Sequence, residues 1–293
     1  WVTQLFLGAK IYLMPQFMPE QMYKTSNRSV SMIFPIWLER ILIRLSYFFA
    51  DRLLTGLCFG SVAQWLHSLP MARDKTTVAR TLPEALPPPA FLERMEILKS
   101  TPGSAQADET KFQLIYVGRL QHQKLVDGLI RMMSLIIAQK DLSRRVELIL
   151  IGDGPQRPEL EKLVDELNLR SFINFIGHLP NEELPDYLLQ SHVFVSPITG
   201  MSLREAAICG LPVVAYDMDW VQGLLKHEET ALLVAPGDHQ EMGRQVLRLL
   251  KDDALSHLLS RNINELAEGL WSKAGLQEYL QQVFEADQQA QPA

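Results

Sequence analysis

From residue 112 to residue 234 the chain alternates short apolar runs with longer amphipathic stretches; the runs are FQLIYVG, VELILIG, FINFIG, HVFVSP, PVVAY and ALLV. The runs are strand-sized, and the stretches between them are helix-sized. Strands joined by helices run parallel, and a parallel sheet buries both faces under its helices. The rhythm therefore predicts α/β architecture, with a Rossmann-like, doubly wound parallel sheet over residues 111–270.

Upstream the pattern changes. The segment TLPEALPPPAFLERMEILKSTPGSAQADETK combines Pro, Ser and charge with little apolar periodicity, and reads as an interdomain linker over residues 83–110. Residues 1–82 then form a separate, partial amino-terminal α/β domain. Within it, PIWLERILIRLSYFFADRLL (35–54) sets Trp37, Ile41, Leu45 and Phe48 on one helical face and Arg40, Arg44 and Asp51 on another. A core-packed helix is favoured, because only two cations lie on the polar face; a peripheral membrane contact is the alternative. The opening run WVTQLFLGAKIYLMPQFM is interrupted by Lys10 and Pro15, so it reads as domain interior rather than as a membrane span or signal peptide. Because the first residue is Trp1, the chain reads as a fragment of a longer gene product. At the other end, DHQEMGRQVLRLLKDD and ALSHLLSRNINELAEG are helical runs. Residues 271–293 hold a third, with Leu276, Tyr279, Leu280 and Val283 on its apolar face, and then a tail expected to fray.

Composition narrows the function. At 293 residues, 47% hydrophobic and 21% charged, the chain is ordinary globular material with room for two domains. The net charge of −6 and the lack of a long basic run exclude a nucleic-acid footprint. Cys58 and Cys209 match no metal or redox spacing and read as free thiols in a reducing compartment, which implies a cytoplasmic location.

Two stretches carry candidate chemistry. YVGRLQHQK places Arg119 and Lys124 after the first strand of the sheet, where a guanidinium and an ammonium suit an anionic ligand; solvated surface charges are the plain alternative. SPITGMSLREAAICGLPVVAYD places Thr199, Gly200, Met201 and Ser202 where a strand hands over to a helix, with Glu205 one turn in. Such a handover at the carboxyl edge of a parallel sheet suits phosphate. Ser202 as an N-cap, with Glu205 completing a capping box, is the competing local reading. Gly152 and Gly154, in GDGPQRPELEKL, provide tight turns after the second strand.

Taken together, YVGRLQHQK, LILIGDGPQRPELEKLV, FIGHLPNEELPDYLLQSHVFVSP, SLREAAICGLPVVAYD and ETALLVAPGD resemble, in order and spacing, the donor-binding domain of family 4 glycosyltransferases, which have the two-domain GT-B fold. The resemblance implies a donor that is a nucleotide-diphosphate sugar and no further cofactor. Arg119 and Lys124 match the residues that contact the diphosphate, and Glu205 the second glutamate of the Glu-x7-Glu motif, which holds the ribose. Gly200, Met201, Ser202 and Leu203 match the loop whose amides face the phosphates. His178 and Leu179 fall where the family lines the base pocket, and Gly152, on the turn after the second strand, is expected among the donor-binding residues. Implied too are metal-independent transfer with retention to an acceptor hydroxyl on a glycan, lipid or small molecule, and a terminal helix returning toward the first domain. Two departures stand out: eight residues before Glu205 lies Pro197 rather than a glutamate, with Thr199 nearest across a gap, and Leu125 replaces the Gly that commonly follows the Lys. The rival expectations are a nucleotide-sugar-binding module without transfer activity and a sugar-nucleotide epimerase of the same fold.

Overall fold

The computed structural model describes residues 2–7, 10–15, 52–56, 76–79, 86–101, 108–139, 142–198, 200–218, 221, 224–278 and 281. Two compact units divide the chain, Trp1–Leu82 and Pro83–Ala293. In the first, β1 (Val2–Leu7) and β2 (Lys10–Pro15) pair antiparallel, and β3 (Arg52–Gly56) and β4 (Thr76–Ala79) extend the sheet in parallel, in the order β1-β2-β3-β4. The helix read over residues 35–54 is corrected at its end: Arg52, Leu53 and Leu54 belong to β3, where Leu53 and Leu54 pair with Thr76 and Thr77. The rest of that run lies outside the described residues.

The second unit carries the predicted sheet. Its strands are β5 (Lys111–Val117), β6 (Arg145–Ile151), β7 (Ile173–Gly177), β8 (Val193–Ser196), β9 (Val213–Tyr216) and β10 (Leu232–Val234). All pair in parallel, in the order β10-β9-β8-β5-β6-β7. Alternate residues of each strand go to opposite faces. Phe112, Leu114 and Tyr116 of β5 join the first core, with α2 (Val126–Ile137), α3 (Arg157–Glu166) and α6 (His239–Lys251). Ile115, between them, joins the second core, with α1 (Pro89–Ser100), α4 (Leu184–Gln190), α5 (Ser202–Ile208) and most of the buried face of α7 (Asp253–Trp271). Burial on both faces is why β5, β6, β8 and β9 read as continuous apolar runs, whereas β7, at the sheet edge, leaves Asn174 and Ile176 exposed.

The linker reading of residues 83–110 needs correction, because α1 occupies its middle. Phe91, Met95 and Leu98 recur at helical spacing and are buried. Arg94 also grips Asp186 of α4 through paired bonds of 2.9 and 2.6 Å. At the far end, α6 and α7 are capped by Asp238 and Asp252, which accept from the N–H groups of Glu241 and Leu255. Trp271, read as the start of a third helical run, instead closes α7 and is buried. Of the apolar face expected beyond it, Leu276 is buried; Tyr279, Leu280, Val283 and the tail lie outside the described residues.

Candidate functional site

Strand order reverses between β5 and β8, whose chain connections leave toward opposite edges of the sheet. A parallel sheet opens a crevice at such a point, at the carboxyl ends of the strands. Both stretches singled out in the sequence border it: residues 118–125 follow β5, and residues 197, 198, 200 and 201 follow β8. They are tied together across 85 residues of sequence, because Ser202 Oγ donates a 2.7 Å hydrogen bond to the Val117 carbonyl.

That bond decides the local alternative for Ser202. Met201, not Ser202, is the N-cap of α5, and no side chain caps the helix. The hydroxyl is engaged with the neighbouring strand, so the capping box with Glu205 does not form.

The loop after β5 is shaped from below by the loop after β6. Gly118 N–H donates to the Ile151 carbonyl at 2.9 Å, Leu120 N–H to Asp153 at 3.0 Å, and Gln156 N–H to Leu120 at 3.0 Å. Tyr116, fully buried, donates its hydroxyl to the Arg119 carbonyl at 3.2 Å. A Cβ on Gly152 would stand 2.0 Å from the Gly118 carbonyl oxygen. The glycine at 152, with φ +126°, therefore does more than make a turn: it lets the two loops touch. Within this frame Arg119 is exposed, and among the described residues its guanidinium has no hydrogen bond or ion pair. Lys124 closes a 3-10 turn, His122–Lys124, and Leu125 follows in the left-handed region at φ 52°. The Leu-for-Gly departure thus sits where glycine is least strained; its side chain packs on the first core in return.

The loop after β8 comes close to that lysine. A Cβ on Gly200 would lie 3.9 Å from Lys124 Nζ. Met201 is 51% exposed, whereas Leu203 corrects the sequence reading. Its side chain is fully buried in the second core and its N–H donates to the Gly200 carbonyl, so it supports the loop from behind. Thr199 lies outside the described residues.

Glu205 is buried and borders a cavity of about 380 Å³ with Met201, Arg204, Asn181 and the Leu86–Pro88 segment. Burial pushes its carboxyl pKa up, and the neighbouring Arg204 charge opposes that. His178 and Leu179 follow β7 at the sheet edge: His178 is exposed, Leu179 half-buried against the second core, and neither lines this cavity. Among the described residues no three His, Cys, Asp or Glu side chains cluster as a metal ion requires, and no helix is long and apolar enough to cross a membrane. Arg204, Asn181 and the tie between Ser202 and Val117 were missed in the sequence. Only the adjacency of Arg204 to Glu205 could have drawn notice.

The sequence model of Glycosyl transferases group 1 matches residues 100–266, more than half of the chain and all six strands of this sheet. The chain belongs to this family. It is similar to a 2-deoxystreptamine glucosyltransferase of Streptomyces kanamyceticus, 34% identical over 143 residues that cover 47% of this chain and 36% of the relative. An alpha-D-kanosaminyltransferase of the same organism is 29% identical over 178 residues, covering 58% and 45%. The chain thus matches less than half the length of either relative. In fold it is similar to sucrose-phosphate synthase of Thermosynechococcus elongatus (TM-score 0.60, 21% identity, covering 95% of this chain and 68% of that one). It is also similar to Anabaena HepE in complex with UDP (TM-score 0.62, 19% identity, covering 87% and 69%). Both comparisons support the α/β, GT-B type of fold.

Proposed function

We propose that the chain supplies the donor site of a glycosyltransferase that moves a sugar from a nucleotide-diphosphate donor to an acceptor hydroxyl, with retention and without a metal ion. The observation that carries this reading is the closure of the switch point by the bond from Ser202 to Val117, which leaves Lys124 Nζ beside the Cβ-less backbone of Gly200. Backbone without a side chain, next to an ammonium, admits a phosphate group closely. Arg119 reaches the same edge of the sheet from an exposed position. Cleavage of the bond between sugar and diphosphate builds negative charge on the leaving oxygen. Cations held there stabilise that charge more in the transition state than in the ground state. Glu205 takes the two ribose hydroxyls, Gly200, Met201 and Ser202 face the phosphates, and His178 and Leu179 border the base. The acceptor, a glycan, lipid or small molecule, then attacks the cationic sugar centre.

Calorimetry tests the donor half, with uridine diphosphate first because HepE was solved with it, then adenosine and guanosine diphosphates. Binding by one of them, lost when the diphosphate is replaced by the bare nucleoside, is expected; no binding by any would sink the reading. Detection of sugar transfer to an acceptor separates the enzyme from a module that only binds.

A further inference from the structure

Arg204 and Glu205 are adjacent in α5, are 5% and 8% exposed, and line the same cavity. The guanidinium carbon of Arg204 lies 5.9 Å from the ring centre of Trp271, which is itself buried in the second core. A carboxyl this far from water is driven toward its neutral form, and a fixed cation beside it acts the other way. Both influences fall on Glu205. Other charged groups lie farther along the helix: Lys99 of α1 donates to the Ile208 carbonyl at 3.4 Å, near Cys209, whose thiol is pushed up to about 12 and so adds no charge at neutral pH. The opposing cavity wall, Asn181 and Leu86–Pro88, is uncharged.

We propose that Arg204 is a positioning residue: held on the cavity wall by the Trp271 ring, its guanidinium keeps Glu205 a charged acceptor for the ribose hydroxyls of the donor. The inference rests on the ribose reading of Glu205 given above. Arginine suits this duty because it does not lose its proton and stacks on an aromatic face. A neutral Glu205 would offer a donor and a weaker acceptor to two hydroxyls that both need to donate.

The test is the pH profile of nucleoside diphosphate binding between about pH 5 and 9, read by calorimetry with the tightest of the three diphosphates. Comparing variants cancels the titration of the ligand itself. In Arg204→Met the acid limb is expected to move up by about one pH unit or more, the size of effect a nearby opposite charge has. Affinity should recover at the alkaline end, and Arg204→Lys should return the limb most of the way. A loss by the same factor at every pH would mean a merely structural role and overturn the proposal. If Glu205→Gln binds as tightly as the wild type, the ribose reading falls and takes this inference with it; weak, pH-independent binding by Glu205→Gln beside an unmoved limb in Arg204→Met overturns this inference alone. Should Arg204→Met fail to fold, carboxyl-carbon NMR of Glu205 in the wild-type chain decides: a carboxylate charged at pH 7 supports the proposal, and one still protonated there overturns it.

Discussion

Ser202 Oγ reaches across the reversal of strand order to the Val117 carbonyl, at 2.7 Å, and so joins the loop after β8 to the end of β5. The bond is partly buried and links neutral groups, a class of contact that contributes about 1 kcal/mol net. Ser202→Ala should therefore lower unfolding free energy by about that amount in urea titrations. It should also weaken nucleoside diphosphate binding several-fold, since Gly200 is no longer anchored beside Lys124. Unchanged stability together with unchanged affinity would show that the tie is incidental.

Arg119 offers the opposite balance. Its side chain is exposed and makes no bond among the described residues, so Arg119→Ala should leave thermal stability unaltered. If it meets the diphosphate, affinity falls by about 1.5–3 kcal/mol, the range for hydrogen bonds to charged groups. Full affinity in the folded variant would remove Arg119 from the site.

For Glu205 stability and binding should part company. Burial raises its folded pKa above the unfolded value, so the folded chain holds this proton more tightly. Stability is then greatest below the unfolded pKa and is lost as pH rises through the folded one. Glu205→Gln removes that cost, and with no capping box to lose it should melt higher than the wild type at pH 7. It should also bind the ribonucleotide more weakly while losing little for a dideoxyribose analogue. A lower melting temperature, with equal losses for both ligands, would restore a structural role for the carboxylate.

Sequence reading recovered the sheet because its central strands β5, β6, β8 and β9 are buried on both faces, and continuous apolar runs survive without knowledge of their partners. It missed α1 because three prolines precede a stripe of only three buried residues, and because the partner of Arg94 is 92 residues away. Ser202 misled for a related reason: a hydroxyl at a helix start favours capping locally, but tertiary structure offered it a carbonyl on another strand. The burial of Arg204 left no pattern at all, since a charged residue next to a site glutamate looks the same whether it faces water or Trp271.

Two glycines with positive φ separate backbone strain from steric overlap. Gly152 has φ +126° and would set a Cβ 2.0 Å from the Gly118 carbonyl oxygen, whereas Gly237 has φ +82° and nothing within 4 Å. Gly237→Ala should cost about 1 kcal/mol, the left-handed penalty alone. Gly152→Ala adds a collision between two backbones and should cost roughly 3 kcal/mol or more, with displacement of the Arg119 loop and loss of diphosphate binding. Similar urea midpoints for the two variants would mean that the two loops separate easily.

His192 should make the folded chain sensitive to acid. Its Nδ1 accepts the Gln113 N–H at 3.1 Å, its backbone N–H donates to the Gln113 carbonyl at 2.8 Å, and its ring meets that of Phe112 edge-on. Protonating Nδ1 would set one donor against another. Burial and the nearby Arg144 both lower its pKa below 6.5, with Asp108 acting weakly against them. Below the unfolded pKa the unfolded chain takes up a proton that the folded chain refuses, so stability falls as pH drops from about 6.5 toward the lowered folded value. Exposed carboxylates such as Glu228, whose pKa is lowered by its bond to Arg248, weaken the fold only further into acid. The difference between wild type and a variant that cannot titrate, His192→Gln, isolates the imidazole. Urea unfolding at intervals between about pH 5 and 7.5 should show the wild type losing stability faster with acid than the variant; equal slopes would mean that His192 takes up its proton in the folded chain as readily as in the unfolded one.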